Sequence, residues 1–194
     1  MDAKRRVKIS KYLARHLRHQ PARLGLTLDP AGWTDVAALL AACRARGLPL
    51  TLEELHEVVE TNDKRRFAFS EDGLRLRASQ GHTIEVDLGL PPADPPPVLY
   101  HGTVGRLLEP IFQEGLRPMT RHDVHLSAAP ETARGVGARR GAPVVLTVDA
   151  AAMAADGHEF RVSANGVWLT PAVPPSYLGF LTPPPDGSPA EAVP

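Results

Sequence analysis

The chain predicts an α+β protein in two parts, and three observations carry that expectation. Leu90 to Pro97 reads LPPADPPP, and proline, lacking a backbone donor, resists helix interiors and central strands. Before this stretch, apolar residues recur at helical spacing; after it, short runs rich in β-branched and aromatic residues dominate. The expected organisation is a helical domain over 1–89, a stiff linker over 90–97, a strand-rich domain over 98–182 and a disordered tail over 183–194.

In the first part, Ile9, Leu13, His16 and Leu17 fall on one side of a helix that Pro21 helps to stop. A second helix is expected from Thr34 to Arg46, with Thr34 as N-cap and Gly47 just past its end. Thr51 and Glu54 form a capping box ahead of Leu52, Leu55, Val58 and Val59. FAFS and LRLRA then flank Glu71-Asp72-Gly73, a hairpin signal in which Leu74 and Leu76 face one way while Arg75 and Arg77 face the other. Three helices and a basic hairpin make a winged-helix-like unit.

In the second part, VLYHG, HDVHLS and PVVLTVD read as strands, and Asn165-Gly166 predicts a two-residue turn between EFRVSA and VWLT. Two helices interrupt them. Leu107, Leu108, Ile111 and Phe112 share an apolar face ended by Gly115, while Pro130 opens a helix that runs to about Gly141 and leaves Arg139 at its last turn.

Composition excludes several classes. Lys plus Arg is 22 and Asp plus Glu is 22, so no overall basic excess announces nucleic acid. Within the first 23 residues, however, eight basic residues face one acid, Asp2, which favours a polyanion near that end. Cys43 is the only cysteine, which rules out an intramolecular disulfide and a cysteine-rich zinc site. With no apolar stretch long enough to span a bilayer and no leader pattern, a cytoplasmic protein without membrane contact is expected. His122 and His125 would point to opposite faces of a strand, and His16 and His19 lie beside Arg15 and Arg18, so no metal site is expected. Neither a glycine-rich phosphate loop nor a serine nucleophile elbow occurs.

Arginine and histidine fill the candidate reactive positions: Arg15, His16, Arg66, His101, His125 and Arg139. Guanidinium forks match phosphate oxygens two at a time and imidazole adds a movable proton near neutral pH, so phosphate chemistry is the first expectation. His16 stands where leucine would be the default, as a working imidazole or as a hydrogen-bonded core histidine. His101-Gly102-Thr103 ends a strand before a helix, a place where glycine admits a ligand to the backbone or serves a tight turn.

SKYLARHLRHQP, GLTLDPAGW, KRRF, LRASQGHT, YHGT, RHDVHLS, VGARRG and NGVWLT, in this order, resemble the RNA 2′-phosphotransferase family. The resemblance implies a winged-helix domain joined to an ADP-ribosyltransferase-like domain, and NAD⁺ consumed as co-substrate. The implied activity removes an internal 2′-monophosphate from RNA, as left at a tRNA splice junction. The RNA phosphate displaces nicotinamide, then the ADP-ribose O2″ attacks that phosphate, giving 2′-hydroxyl RNA and ADP-ribose 1″,2″-cyclic phosphate. By the same resemblance Arg15, His16, Arg66 and Arg139 are the catalytic tetrad. His101, Gly102, Thr103, His125 and Ser127 line the dinucleotide pocket, and Arg77, Gln80 and His82 touch the RNA. Val167 stands where protein-modifying relatives carry glutamate. The alternatives are a transferase that caps nucleic-acid phosphates with ADP-ribose and a non-enzymatic winged-helix binding module.

Overall fold

Asp2 starts the first helix by accepting the Arg5 backbone N–H at 2.7 Å, which satisfies one orphan donor of the first turn. The helix, α1 (Ala3–His19), buries Ile9, Ser10, Leu13, His16 and Leu17 and ends at Gln20, after which Pro21 opens a short 3₁₀ turn. The computed structural model describes residues 1–62 and 64–181; the expected tail over 183–194 lies outside the described residues.

The second helix begins later than its sequence suggests. Thr34–Asp35 form a two-residue strand, β1, and Asp35 rather than Thr34 caps α2 (Val36–Ala45) by accepting the Ala38 N–H. Thr34 is drawn instead into a ladder with Leu76, a tertiary pairing that local cap preference does not encode. The Thr51–Glu54 capping box opens α3 (Leu52–Glu60) as expected. Strands β2 (Phe67–Phe69) and β3 (Arg75–Ala78) then form the hairpin, with sheet order β1-β3-β2 and all pairs antiparallel. Leu74 does not join Leu76 on the buried face: it lies in the turn before the strand and is 63% exposed, whereas Leu76 is 0% exposed.

After residues 90–97 the chain forms β4 (Val98–Val104), α4 (Leu108–Glu114), β5 (Val124–Leu126), α5 (Pro130–Gly137) and β6 (Pro143–Asp149). It continues through α6 (Ala150–Ala155), β7 (Arg161–Val162), β8 (Trp168–Thr170) and β9 (Leu178–Phe180). Two antiparallel sheets result, β4-β6-β9 and β5-β8-β7. The turn between β7 and β8 is longer than two residues: Ser163 N–H pairs with the Val167 carbonyl, so Ala164, Asn165 and Gly166 make a three-residue loop closed by Gly166 N–H to Ser163 O.

Two hydrophobic clusters hold these parts. One gathers Ile9, Leu13, Leu17, Leu39, Cys43, Leu55, Val58 and Leu76. The other gathers Leu99, Leu126, Val148, Met153, Phe160 and Val173. Each fully buried aliphatic side chain contributes about 1.5–3 kcal/mol relative to exposure. The 90–97 segment lies against the second part, with Pro92 bridged to Arg161 and the Ala93 N–H bonded to the Phe160 carbonyl. The mixed architecture is α+β.

Candidate anion site

The C-terminal end of α1 presents two faces with different surroundings. His16 is buried; its Nδ1–H donates to the Tyr12 carbonyl at 2.8 Å, and the two rings stand 4.3 Å apart. Cys43 and Arg46 act electrostatically on Tyr12, which places this face toward α2. Residues two apart on a helix diverge by about 160°, so Arg18 points away from His16. Arg15 is exposed and donates to Gln20 at 3.2 Å. His16 is therefore turned from Arg18, while Arg15, three residues before Arg18 and so on a neighbouring face, is bonded to Gln20 rather than to any other candidate residue.

Arg18 is. Its guanidinium is largely buried, with Nε and one terminal nitrogen lacking any partner among the described residues. Burial first, then the nearby Arg66 and Arg121 cations, push its pKa down to about 10. Arg66, at the start of β2, donates to Asn62 Oδ1 at 3.2 Å; desolvation, then Arg139, lower it. Arg121, in the loop before β5, is lowered by desolvation, then Arg140 and Arg139. The residue is exposed overall, but its guanidinium leans onto His125, donating to Nδ1 at 2.9 Å. Arg18, Arg66 and Arg121 thus converge from both parts of the chain, with exposed Arg139 and Arg140 at the rim.

None of these five arginines has a carboxylate partner among the described residues, whereas Arg5, Arg6, Arg75, Arg117 and Arg161 each do. Like charges gathered in a partly dry site repel strongly. An uncompensated cluster of this kind costs folding free energy unless an anion completes it, which marks it as the candidate anion site. Backbone strain points to the same place. The two non-glycine residues with left-handed backbone among the described residues, Arg65 (φ 38) and Met119 (φ 59), lie one residue from Arg66 and two from Arg121, and such strain persists only where surrounding structure over-determines it.

The histidines around the cluster are held neutral. His125 falls to about 3 through burial, then Arg121 and Arg18, and because Arg121 donates to its Nδ1 the ring proton sits on Nε2. His82 is 4% exposed with Nε2 unpartnered, and falls to about 4 through burial, then Arg18. His101 donates Nδ1–H to the His125 carbonyl at 3.2 Å and is lowered chiefly by burial. His19 is lowered by desolvation and then by Arg18; it pairs with Thr83 Oγ1 at 3.0 Å, while the Thr83 N–H reaches the Arg18 carbonyl. His19 and not His16 is the α1 imidazole that shares surroundings with Arg18.

The strand β4 supplies an open backbone edge. Tyr100 exchanges both backbone hydrogen bonds with Ser127, so by alternation the N–H and C=O of Gly102 point to the same side. The Tyr100–Ser127 bridge is isolated, and among the described residues no backbone pairing with β5 extends to Gly102. A side chain on Gly102 is impossible for another reason: its Cβ would stand 1.7 Å from the Ala133 carbonyl oxygen of α5. Helix packing demands this glycine, and the open backbone edge lies beside it. Thr103 is buried at 2% exposure.

The remaining expected RNA contacts divide. Gln80 and His82 line a cavity of about 720 Å³ with His122, His125 and Arg161; it abuts the cluster at Gly81, which has φ 86 and whose Cβ would lie 3.7 Å from both Arg18 and His125. Arg77 is largely spent inside the fold. It donates to the Ala31 and Leu88 carbonyls and sits 4.4 Å over the Trp33 ring. Sequence reasoning missed Arg18, His19 and Arg121. The sign available was RHLRH itself, whose second Arg-His pair precedes the helix-ending Gln20-Pro21.

Among the described residues no group of three or more His, Cys, Asp or Glu could hold a metal ion, and no helix is long and apolar enough to cross a membrane.

Fold and site together define an α+β protein that gathers guanidinium groups from two separately packed parts around a place for a phosphate-like anion. The chain belongs to the RNA 2'-phosphotransferase, Tpt1 / KptA family, whose model matches residues 4–172. It is 65% identical to a probable RNA 2'-phosphotransferase of Streptomyces coelicolor, over 94% of this chain and 100% of that protein. Proteins of the same name from Streptomyces griseus and Burkholderia pseudomallei are 60% and 54% identical, covering 92% and 88% of this chain and 98% and 93% of their own lengths.

Proposed function

We propose that this chain is an NAD⁺-dependent RNA 2′-phosphotransferase that removes an internal 2′-monophosphate, of the kind left at a tRNA splice junction. The observation that carries this reading is the convergence of Arg18, Arg66 and Arg121, each without a carboxylate partner among the described residues. In this reading residues 1–89 act as a winged-helix-like phosphate-binding domain and 98–182 as an ADP-ribosyltransferase-like domain, consistent with the two hydrophobic clusters.

Arg18 and Arg66 grip the 2′-phosphate, and charge-assisted bonds of about 1.5–3 kcal/mol each hold it in line for transfer. Arg121 approaches from the other part, orients neutral His125 and stabilises charge as the phosphate moves; Arg139 and Arg140 add to that field from the rim. His19, fixed through Nδ1 by Thr83, turns Nε2 toward the departing RNA 2′-oxygen. The amide-like edge at Gly102, with His101 and Ser127 beside it, fits a nicotinamide carboxamide, which needs one donor and one acceptor. NAD⁺ bound there supplies an electrophilic ribose carbon, a nicotinamide leaving group and the hydroxyl that finally takes the phosphate. Val167 needs no carboxylate counterpart, because an anionic phosphate is already a nucleophile.

The test is incubation with an oligoribonucleotide carrying one internal 2′-phosphate, with and without NAD⁺, following RNA and nicotinamide together. Loss of the phosphate only with NAD⁺ supports the reading. ADP-ribosylated RNA that persists would indicate capping, and RNA binding without turnover would indicate a binding module.

A further inference from the structure

We infer that Asn165 and His122 are positioning residues: two donors from the second part of the chain that each grip a backbone carbonyl in a segment of the first part that carries or contacts a cluster residue. The inference rests on the proposed phosphate site.

Asn165 lies at the tip of the β7–β8 turn, where asparagine is ordinarily explained by turn chemistry. Here the turn is closed without its amide group: Ser163 O accepts the Gly166 N–H, and Ser163 Oγ accepts the Val167 N–H. Ser163 Oγ also lies 2.6 Å from Asn165 Oδ1, which occupies the amide oxygen and orients the side chain. The nitrogen is left to reach across 101 residues of sequence, and Nδ2 donates to the Lys64 carbonyl at 3.0 Å. That carbonyl precedes Arg65, the left-handed residue at φ 38, which in turn precedes Arg66. The strained turn is held on its other sides by Asn62 O, which accepts the Arg65 N–H at 2.7 Å, and by Ser79 Oγ, which donates to the Arg65 carbonyl at 2.8 Å. Asn62 Nδ2 further ties this turn to Ser10 of α1 at 3.1 Å.

His122 repeats the device on the opposite side of the cluster. Its Nε2–H donates to the Ile84 carbonyl at 2.7 Å. Ile84 follows Thr83, whose N–H bonds the Arg18 carbonyl and whose hydroxyl meets His19. One grip therefore sets the backbone that carries Arg66, and the other sets the segment that fixes Arg18 and His19. Because His122 and Arg121 are adjacent and Asn165 belongs to the hairpin that pairs with β5, closing both grips also sets Arg121 against the other two arginines.

Two variants test this without disturbing either hydrophobic cluster: Asn165→Asp, which keeps size and the Ser163 contact but removes the donor, and His122→Phe, with His122→Gln as the donor-retaining control. Hydrogen exchange should rise in residues 64–66 for the first and in 82–85 for the second, with an unchanged thermal midpoint. The affinity advantage of a 2′-phosphorylated over a 2′-hydroxyl oligoribonucleotide should fall on the order of tenfold or more, with His122→Gln restoring most of it. In an Arg66→Ala background, Asn165→Asp should change that advantage by no more than about twofold, because distinct sites add while one relay does not. Unchanged exchange, or full additivity with Arg66→Ala, overturns the inference. If the wild-type protein shows no preference for the 2′-phosphate, the functional reading fails instead, and the exchange data still decide whether the grips exist.

Discussion

Two groups of arginines in this chain contrast. On the outer surface, Arg5 bonds Glu54 at 2.6 Å, Arg6 reaches Glu57 at 3.3 Å and Arg161 pairs with Glu159. Around the mouth of α1, Arg18, Arg66 and Arg121 face one another with no carboxylate partner among the described residues. The first group is neutralised by the fold and adds little to it, since exposed ion pairs contribute about 0.2–1 kcal/mol. In the proposed function a phosphate neutralises the second. Burial and mutual proximity without a carboxylate, rather than the count of arginines, set the second group apart from a solvated surface.

The sharpest way to break the comparison is substitution within the second group. Arg66→Lys keeps charge but loses the planar fork, and turnover on 2′-phosphorylated RNA should fall about 10²–10³-fold. Arg18→Met should be as damaging to turnover yet leave the thermal midpoint equal or higher, because it removes a buried, uncompensated cation. Retention of activity in either variant would return the cluster to an accident of packing.

Ligand binding should separate the groups next. A 2′-phosphorylated oligoribonucleotide at 100 times its dissociation constant should stabilise the protein by about 2.7 kcal/mol, seen as a raised midpoint that declines with added salt. A salt-independent gain would locate binding away from the arginines.

The neutral histidines give a smaller, pH-resolved effect. His82 has a folded pKa of about 4, below its ordinary value, so the unfolded chain binds the extra proton between the two. Stability should therefore decline as pH falls from about 6.5 toward 4. Thermal melts of His82→Asn should show a shallower decline over that window; a superimposable one would remove His82 from the cause.

Weakest of all should be Arg5→Ala and Arg15→Ala. The former should cost no more than about 1 kcal/mol in denaturant unfolding, and the latter should leave turnover within severalfold of wild type. An Arg15→Ala enzyme as crippled as Arg66→Lys would restore the pair expected from sequence.

Much of this was legible in the chain. The Thr51–Glu54 capping box, the β2–β3 hairpin and the strands around YHGT and HDVHLS each follow from local patterns that the structure repeats. The misreadings share a cause. Thr34 looked like a cap until a ladder with Leu76 took it. Leu74 looked buried by alternation until the turn claimed it. His16 stood out because an imidazole interrupts an apolar stripe, but that stripe faces its own core and Tyr12 absorbs the group.

By itself the sequence determined that helices precede strands, that the charged chemistry is cationic, and which family's ordered segments the chain shares. The first two follow from periodicity, capping and composition, which act over a few residues, and the third from resemblance across eight ordered segments. Only the tertiary structure decided which arginines lose their counterions. Partnership is set by distance in space, and Arg18, Arg66 and Arg121 meet only after two separately packed cores are brought together across the grips at Lys64 and Ile84.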